Sequence, residues 1–174
     1  MITIVVPVYE KTEIVQKFLE LSEEILKSNI LIVIDSGGGS PLKKLATHYE
    51  EFPKGDLSAA RKRGISLAET DFIFNLDADT IVPISYVSEA VQILESCKDV
   101  FAVALDYEKL KGHLGFGTSV WKANILKQLY DWKKGMGVCE CVYMWSKIFK
   151  AGGRLETLPM RAIHLKKERY ENGE

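Results

Sequence analysis

Two aspartates, Asp77 and Asp79, stand two apart directly after the apolar run Asp71-Phe72-Ile73-Phe74-Asn75-Leu76. Eight Asp in 174 residues give roughly 0.4 such pairs by chance, so the spacing alone carries little. Placement carries more. A strand that empties into two carboxylates sets like charges side by side, and these repel unless a cation or hydrogen bonds offset them. A hard divalent ion, Mn²⁺ or Mg²⁺, suits such oxygen ligands and commonly takes phosphate oxygens as well. The pair therefore reads as metal-nucleotide chemistry, with a plain polar turn as the alternative. Two more segments stand at the ends of short apolar runs: Pro7-Val8-Tyr9-Glu10, and Asp35 through Ser40.

These segments need a sheet to gather them. Ile2 through Val8 and Ile30 through Ile34 are β-branched runs that read as buried strands. Between them, Ile14, Phe18, Leu21 and Ile25 make an apolar helical stripe over residues 12–28. A short helix is expected over 42–51, then a turn at Pro53-Lys54-Gly55-Asp56. In a helix over 57–69, Ala60, Gly64 and Ala68 form a small-residue face able to lie close on a sheet. Residues 71–76 give the third strand, 84–97 a helix and 100–105 a further strand. A Gly-bearing loop at 112–117, helical patterns over 122–134 and 138–151, and short strands near 154–158 and 161–165 complete the chain. Strand–helix–strand grammar of this kind means a mainly parallel, Rossmann-like α/β sheet flanked by helices, with mixed strands in the C-terminal part. Ligands of such sheets bind beyond the carboxyl ends of the strands, where all three segments fall.

Composition narrows the class. The charge is 23 Lys+Arg against 24 Asp+Glu, a net of −1, which offers no general attraction for nucleic acid. Apolar residues at 47% and charged residues at 27% suit a single folded domain and not a disordered chain. No apolar run approaches the ~18 residues of a membrane span. Met1-Ile2-Thr3-Ile4 lacks the basic lead of a secretory signal. With three cysteines, an odd and sparse set, a reducing, cytoplasmic location is expected.

The segments Val5-Val6-Pro7-Val8-Tyr9-Glu10, Val33-Ile34-Asp35-Ser36-Gly37, Ser58-Ala59-Ala60-Arg61-Lys62-Arg63-Gly64 and Phe74-Asn75-Leu76-Asp77-Ala78-Asp79 resemble, in order and spacing, the nucleotide-sugar-binding half of family-two glycosyltransferases. Glu140-Cys141, Lys150-Ala151-Gly152 and Leu158-Pro159 through His164 resemble that family's later half. The resemblance implies a GT-A fold in one domain over 1–174: a donor half at 1–83, an acceptor and catalytic half at 84–165, and a polar tail at 166–174. It implies transfer of a hexosyl or N-acetylhexosaminyl group from a nucleotide-diphosphate sugar to a glycan, protein or lipid-linked acceptor, with inversion. Asp35 would accept from the base, and Pro7 and Tyr9 would wall it. Arg61 would reach ribose or phosphate, since its planar donors suit anionic oxygens. Asp77 would face the ribose and sugar. Asp79 would hold the Mn²⁺ or Mg²⁺, with His164 as a further ligand.

Three positions depart from the family pattern. Cys141 stands where the Asp of a Glu-Asp pair usually acts as base, and a thiol with a reference pKa near ~8.5 is a poor substitute. Glu140 is then the candidate base. Ser36 replaces a second acidic residue of the base-contacting loop. Glu10 replaces an Asn, adding negative charge beside the expected diphosphate; it either points outward or helps hold the cation.

On the acceptor side, the glycines of Gly115-Phe116-Gly117-Thr118-Ser119 permit close approach of a sugar to the backbone. Trp121, Trp132, Tyr143 and Trp145 suit sugar rings, although core packing is the expected role for most. Lys122, Lys127, Lys133 and Lys134 make the 122–134 helix basic and amphipathic, fit either for a membrane surface or for plain solvation. Cys139 and Cys141 lack the second pair that a structural zinc site requires. The rival to an enzyme is a non-catalytic nucleotide-sugar or glycan-binding module of the same fold. A nucleotidyltransferase is disfavoured because Pro7-Val8-Tyr9-Glu10-Lys11 replaces the Gly-rich, Arg-bearing loop such enzymes carry after the first strand.

Overall fold

The computed structural model describes residues 1–9, 12–108 and 110–165. Glu10 and the tail at 166–174 lie outside them. The chain runs β1 (Thr3–Val8), α1 (Thr12–Lys27), β2 (Ile30–Asp35), a 3₁₀ turn (Pro41–Lys44), β3 (His48–Glu51), α2 (Leu57–Leu67), β4 (Phe72–Leu76), β5 (Thr80–Ile81) and α3 (Tyr86–Ser96). It continues with β6 (Val100–Tyr107), β7 (Leu110–Leu114), β8 (Thr118–Lys122), α4 (Ala123–Leu129), α5 (Glu140–Lys150) and β9 (Arg154–His164).

The strands form one sheet in the order β3-β2-β1-β4-β8-β6-β9-β5, with β7 paired to β6. β1 is parallel to both β2 and β4, and β2 to β3. β8 enters antiparallel between β4 and β6, and β9 returns parallel to β6. This is the parallel first half and mixed second half that the sequence predicts.

β1 is buried on both faces, which explains its unbroken apolar run. Ile4, Val6 and Val8 join Val15, Phe18, Leu31, Val33 and Phe74 in one core. Val5 joins Ile32, Ile34, Ile73, Trp121, Met144 and Ile148 in the other. Helix α2 lies directly on β1: a Cβ at Gly64 would stand 2.4 Å from Val5 Cγ1, so only glycine permits that approach.

Several elements differ from expectation: β5, β7 and β8 are strands that the sequence does not announce, and β7 takes up the start of the expected 112–117 loop. Residues 42–51 form the 3₁₀ turn and the edge strand β3, not a helix. β3 has no apolar alternation of its own, and pairing with Ile32–Asp35 of β2 decides its conformation. The α1 stripe is rotated: Val15, Phe18, Ser22, Ile25 and Leu26 are buried, while Leu21 is 56% exposed. The two expected C-terminal strands are one strand, β9, whose register on β6 shifts so that Thr157 faces Ala104 and Arg161 faces Asp106. Leu158-Pro159-Met160 fill that bulge, where a proline without an N–H is tolerated.

The expected basic helix over 122–134 stops at Leu129. Lys122 Nζ donates to the carbonyls of Cys97 and Lys98 just past α3, and Lys127 Nζ to the Ala68 carbonyl just past α2. Both lysines thus neutralise helix C-termini, where a cation is favoured. Among the described residues, no helix is long and apolar enough to cross a membrane.

Candidate active site

The carboxyl ends of β1, β2 and β4 converge at one edge of the sheet. Pro7 is buried within β1, and Tyr9 beyond it is about half exposed. The Ser36 amide donates to the Val8 carbonyl at 2.8 Å and ties the ends of β1 and β2 together.

Asp35 is buried, and its carboxylate organises the loop that follows. Oδ1 accepts from the amides of Gly37 and Gly38, both at 2.8 Å. Oδ2 accepts from the Ser40 amide at 2.9 Å and from Tyr49 Oη at 2.6 Å. Gly38 and Gly39 take positive φ (78° and 76°), which lets the loop curl back over the carboxylate. Burial works to raise the Asp35 pKa, but these four bonds outweigh it and hold the carboxyl below its ordinary value. The Tyr49 hydroxyl is pushed up to about 12 by burial and the Asp35 charge.

Arg61 projects from the first turns of α2 and is almost fully buried. Its Nη2 donates to Asp77 Oδ1 at 2.7 Å. Its Nε lies 3.1 Å from Glu140 Oε1, and its guanidinium stacks over Phe116, 5.3 Å from the ring centre. Burial alone would disfavour the cation, yet the Glu140 and Asp77 charges outweigh it and hold Arg61 protonated. Instead of reaching into solvent, Arg61 sits beneath two carboxylates and orients both.

Glu140 is the first residue of α5, with Cys139 as the N-cap. Its Oε1 also accepts from Tyr130 Oη at 2.6 Å. Burial raises the Glu140 pKa; Arg61 and the Tyr130 hydroxyl oppose the rise, and Asp77 adds to it. Cys141 points the other way, into the core with Met144 and Ile148, and burial pushes its thiol up to about 12.

The two glycines of the 115–117 turn serve the chain's own side chains. A Cβ at Gly117 would fall 2.0 Å from Asp77 Oδ2, and one at Gly115 would fall 2.5 Å from the Tyr107 ring. Phe116 between them is buried against Trp121, Tyr130 and Trp145. Trp121 stacks on Trp145, so these aromatics largely fill the core beneath the site.

Asp79 meets His164 across the β5–β9 pair: Asp79 Oδ2 and His164 Nε2 are 3.3 Å apart, with Thr80 in register with His164. The Leu165 amide donates to the Asp79 carbonyl at 2.7 Å, and the Tyr107 ring meets the imidazole edge-on. Two cis ligands of one octahedral ion at ~2.1 Å lie about 3 Å from each other. A carboxylate oxygen and an imidazole nitrogen at this separation therefore fit two positions around Mn²⁺ or Mg²⁺. Imidazole favours the softer Mn²⁺. Among the described residues there is no cluster of three or more His, Cys, Asp or Glu able to hold a metal unaided. An ion held there would need substrate oxygens or water to complete its shell.

The structure thus joins Arg61, Asp77 and Glu140 in one cluster, pairs Asp79 with His164, and sets Asp35 with Pro7 and Tyr9 along the β1–β2 edge. Sequence reasoning missed Tyr130 and Tyr49. Tyr49 lies on β3, whose strand form comes from pairing with β2 and carries no local signal. Tyr130 carries none either, because it follows α4 and meets Glu140 only through tertiary packing.

A sheet of this topology with an acidic carboxyl edge is the architecture of GT-A proteins. The chain belongs to glycosyl transferase family 2, whose family model matches residues 3–153. Its structure is similar to the mannosyltransferase PcManGT from Pyrobaculum calidifontis in complex with GDP-Man and Mn²⁺ (TM-score 0.75, 18% identity, 97% of this chain and 57% of that one). It is also similar to residues 1–349 of S. aureus TarS in complex with UDP-GlcNAc (TM-score 0.68, 14% identity, 99% of this chain and 61% of that one). At these identities the likeness is one of fold. The chain spans about three-fifths of the length of those structures. Comparison with curated protein sequences gives no match.

Proposed function

We propose that the chain transfers a hexosyl or N-acetylhexosaminyl group, with inversion, from a nucleotide-diphosphate sugar to an acceptor hydroxyl. The observation that carries this reading is the convergence of Asp77 and Glu140 on one buried arginine, beside the Asp79–His164 pair, at the ligand-binding edge of the sheet. Membership of glycosyl transferase family 2 supports it.

In this reading the base lies along the β1–β2 edge against Pro7 and Tyr9, with the Asp35 loop beneath it. Asp77, held by Arg61, accepts from ribose or sugar hydroxyls. Asp79 and His164 would hold Mn²⁺ or Mg²⁺, a reading supported by the Mn²⁺ and GDP-Man in PcManGT. When bound, the dication offsets the charge that grows on the departing nucleotide. Glu140 takes the acceptor proton. Both of its described contacts fall on Oε1, so Oε2 is the oxygen that receives it. A glutamate pKa raised by burial is closer to neutral pH and better matched to a general base. The acceptor, a glycan, a protein or a lipid-linked sugar, enters over the second half. Peripheral contact with a membrane from the cytoplasmic side belongs to the lipid-linked case.

The second reading, a binding module without turnover, is favoured by one observation. Glu140 is committed to Arg61 and Tyr130, and the neighbouring Cys141 is buried. A thermal-shift panel of nucleotide sugars with and without Mn²⁺, followed by transfer assays over a broad acceptor set, separates the two. Selective donor stabilisation that requires metal, together with sugar transfer, is the expected result. Donor binding with neither transfer nor donor hydrolysis leaves only the binding module.

A further inference from the structure

Two cysteines bracket the candidate base. Cys139 is exposed and caps α5, its sulfur accepting from the Val142 amide at 3.5 Å; Cys141 is buried in the core. Their sulfurs lie only 2.8 Å apart. A disulfide bond is ~2.05 Å long, so closure asks for a movement of less than about 1 Å. We propose that Cys139 and Cys141 form a reversible dithiol–disulfide pair that governs the position of Glu140.

The step balances with a small-molecule disulfide, such as oxidised glutathione, as oxidant. Cys139 sulfur, the exposed one, attacks a sulfur of the small disulfide and releases one small thiol, leaving a mixed disulfide. Cys141 sulfur, 2.8 Å away, then attacks Cys139 sulfur as its proton passes to the departing small thiolate, releasing the second small thiol. Two electrons and two protons pass from the cysteine pair to the oxidant. The product closes a small ring through the backbone of Glu140. Excess small thiol reverses the exchange by the same two steps.

Closure acts on the base through the helix start. A disulfide sulfur is a poorer acceptor than a thiolate or thiol, so the cap on the Val142 amide is lost. The ring also constrains the Glu140 backbone, withdrawing its carboxylate from Arg61 Nε and Tyr130 Oη. Oxidation therefore leaves the Asp35 and Asp79–His164 regions intact and disables the base. This last clause rests on the proposed transferase reading; formation of the bond does not.

The test equilibrates the protein across graded ratios of oxidised to reduced glutathione, alkylates remaining thiols and maps the peptides by mass. The expected result is one peptide carrying Cys139 and Cys141 that loses two hydrogens while Cys97 stays alkylated. Cys141→Ser should instead accumulate the mixed disulfide on Cys139. Hydrogen exchange at the Val142 and Tyr143 amides should accelerate on oxidation and recover with dithiothreitol. Transfer should fall by at least about tenfold in the oxidised protein. Donor affinity should hold within about twofold, and dithiothreitol should restore the rate. Cys139→Ser, which keeps an N-cap oxygen, should retain the reduced-state rate and ignore the oxidant. Absence of the linked peptide at every ratio overturns the pair, as does a linked peptide without change in exchange at the start of α5. A linked peptide with the exchange response, but no transfer in either state, upholds the pair and refutes the transferase reading instead.

Discussion

Arg61 and Asp77 are joined by a hydrogen bond of 2.7 Å between a guanidinium that is 2% exposed and a carboxylate that is 33% exposed. The buried member holds the more open one in place, and the same cation also steadies Glu140. Arg61→Met should leave two carboxylates facing each other without a counter-charge and destabilise the fold by about 3–5 kcal/mol. Arg61→Lys keeps the charge but loses the fork that spans both acids, so donor affinity should still fall. Urea melts and donor titration of both variants check this; an unaltered midpoint for Arg61→Met would remove the buried-cation argument.

Gly117 is a test of Asp77 that leaves Asp77 itself in place. A methyl at Gly117 would meet Asp77 Oδ2 at 2.0 Å, so Gly117→Ala must turn the carboxylate away. The expected result is weaker donor binding with a stability loss of only about 1–3 kcal/mol. Isothermal titration shows whether the affinity changes as expected.

If the proposed metal assignment holds, Asp79→Ala should abolish the dependence of donor binding on Mn²⁺, and His164→Ala should weaken it. Asp79 touches His164 and the β9 end, so a melt must accompany the titration. A metal response equal to wild type in both variants would move the ion elsewhere.

Glu140→Gln should keep donor binding and lower transfer by ~10²–10⁴-fold. Because burial raises the Glu140 pKa, the acid limb of kcat/KM should lie above the ordinary glutamate range. Activity then rises with pH as Glu140 loses its proton. Tyr130→Phe removes a bond that favours the ionised form and should shift that limb further up. A limb that stays put in Tyr130→Phe would detach it from Glu140.

Asp35 supplies a pH signature of stability. Its folded pKa is below the unfolded value, so the unfolded chain takes the proton more readily. The contribution is complete above the unfolded value of 3.8 and is lost as pH falls through the lower folded one. Tyr49→Phe removes the 2.6 Å bond to Oδ2 and should cost about 1.5–3 kcal/mol at neutral pH, with the difference shrinking in acid. Chemical denaturation at several pH values reads both.

β1 and β2 were legible because they are buried on both faces and announce themselves as continuous apolar, β-branched runs. The small-residue face of α2 was legible for a related reason: Gly64 exists only to admit Val5. Asp77 and Asp79 could be read because strand ends place polar residues at a known edge. What escaped depends on partners distant in sequence. β3 takes its form from β2, and Leu21 faces water because α1 is set by Val15, Ser22 and Leu26. Arg61 was expected to reach ribose or phosphate, and nothing local in its sequence tells that two carboxylates bury it. Tyr130 reaches Glu140 only after α4 and α5 have packed.

β9 pairs with β6 along one side and delivers His164 to Thr80 of β5 on the other. The candidate site is therefore assembled from the earliest and latest strands described. A ribosome must have released β9 before Asp79 can meet its imidazole, although the β1–β2–β4 wall can form sooner. In the proposed reading, the nascent chain then acquires the wall assigned to the base before the pair assigned to the metal.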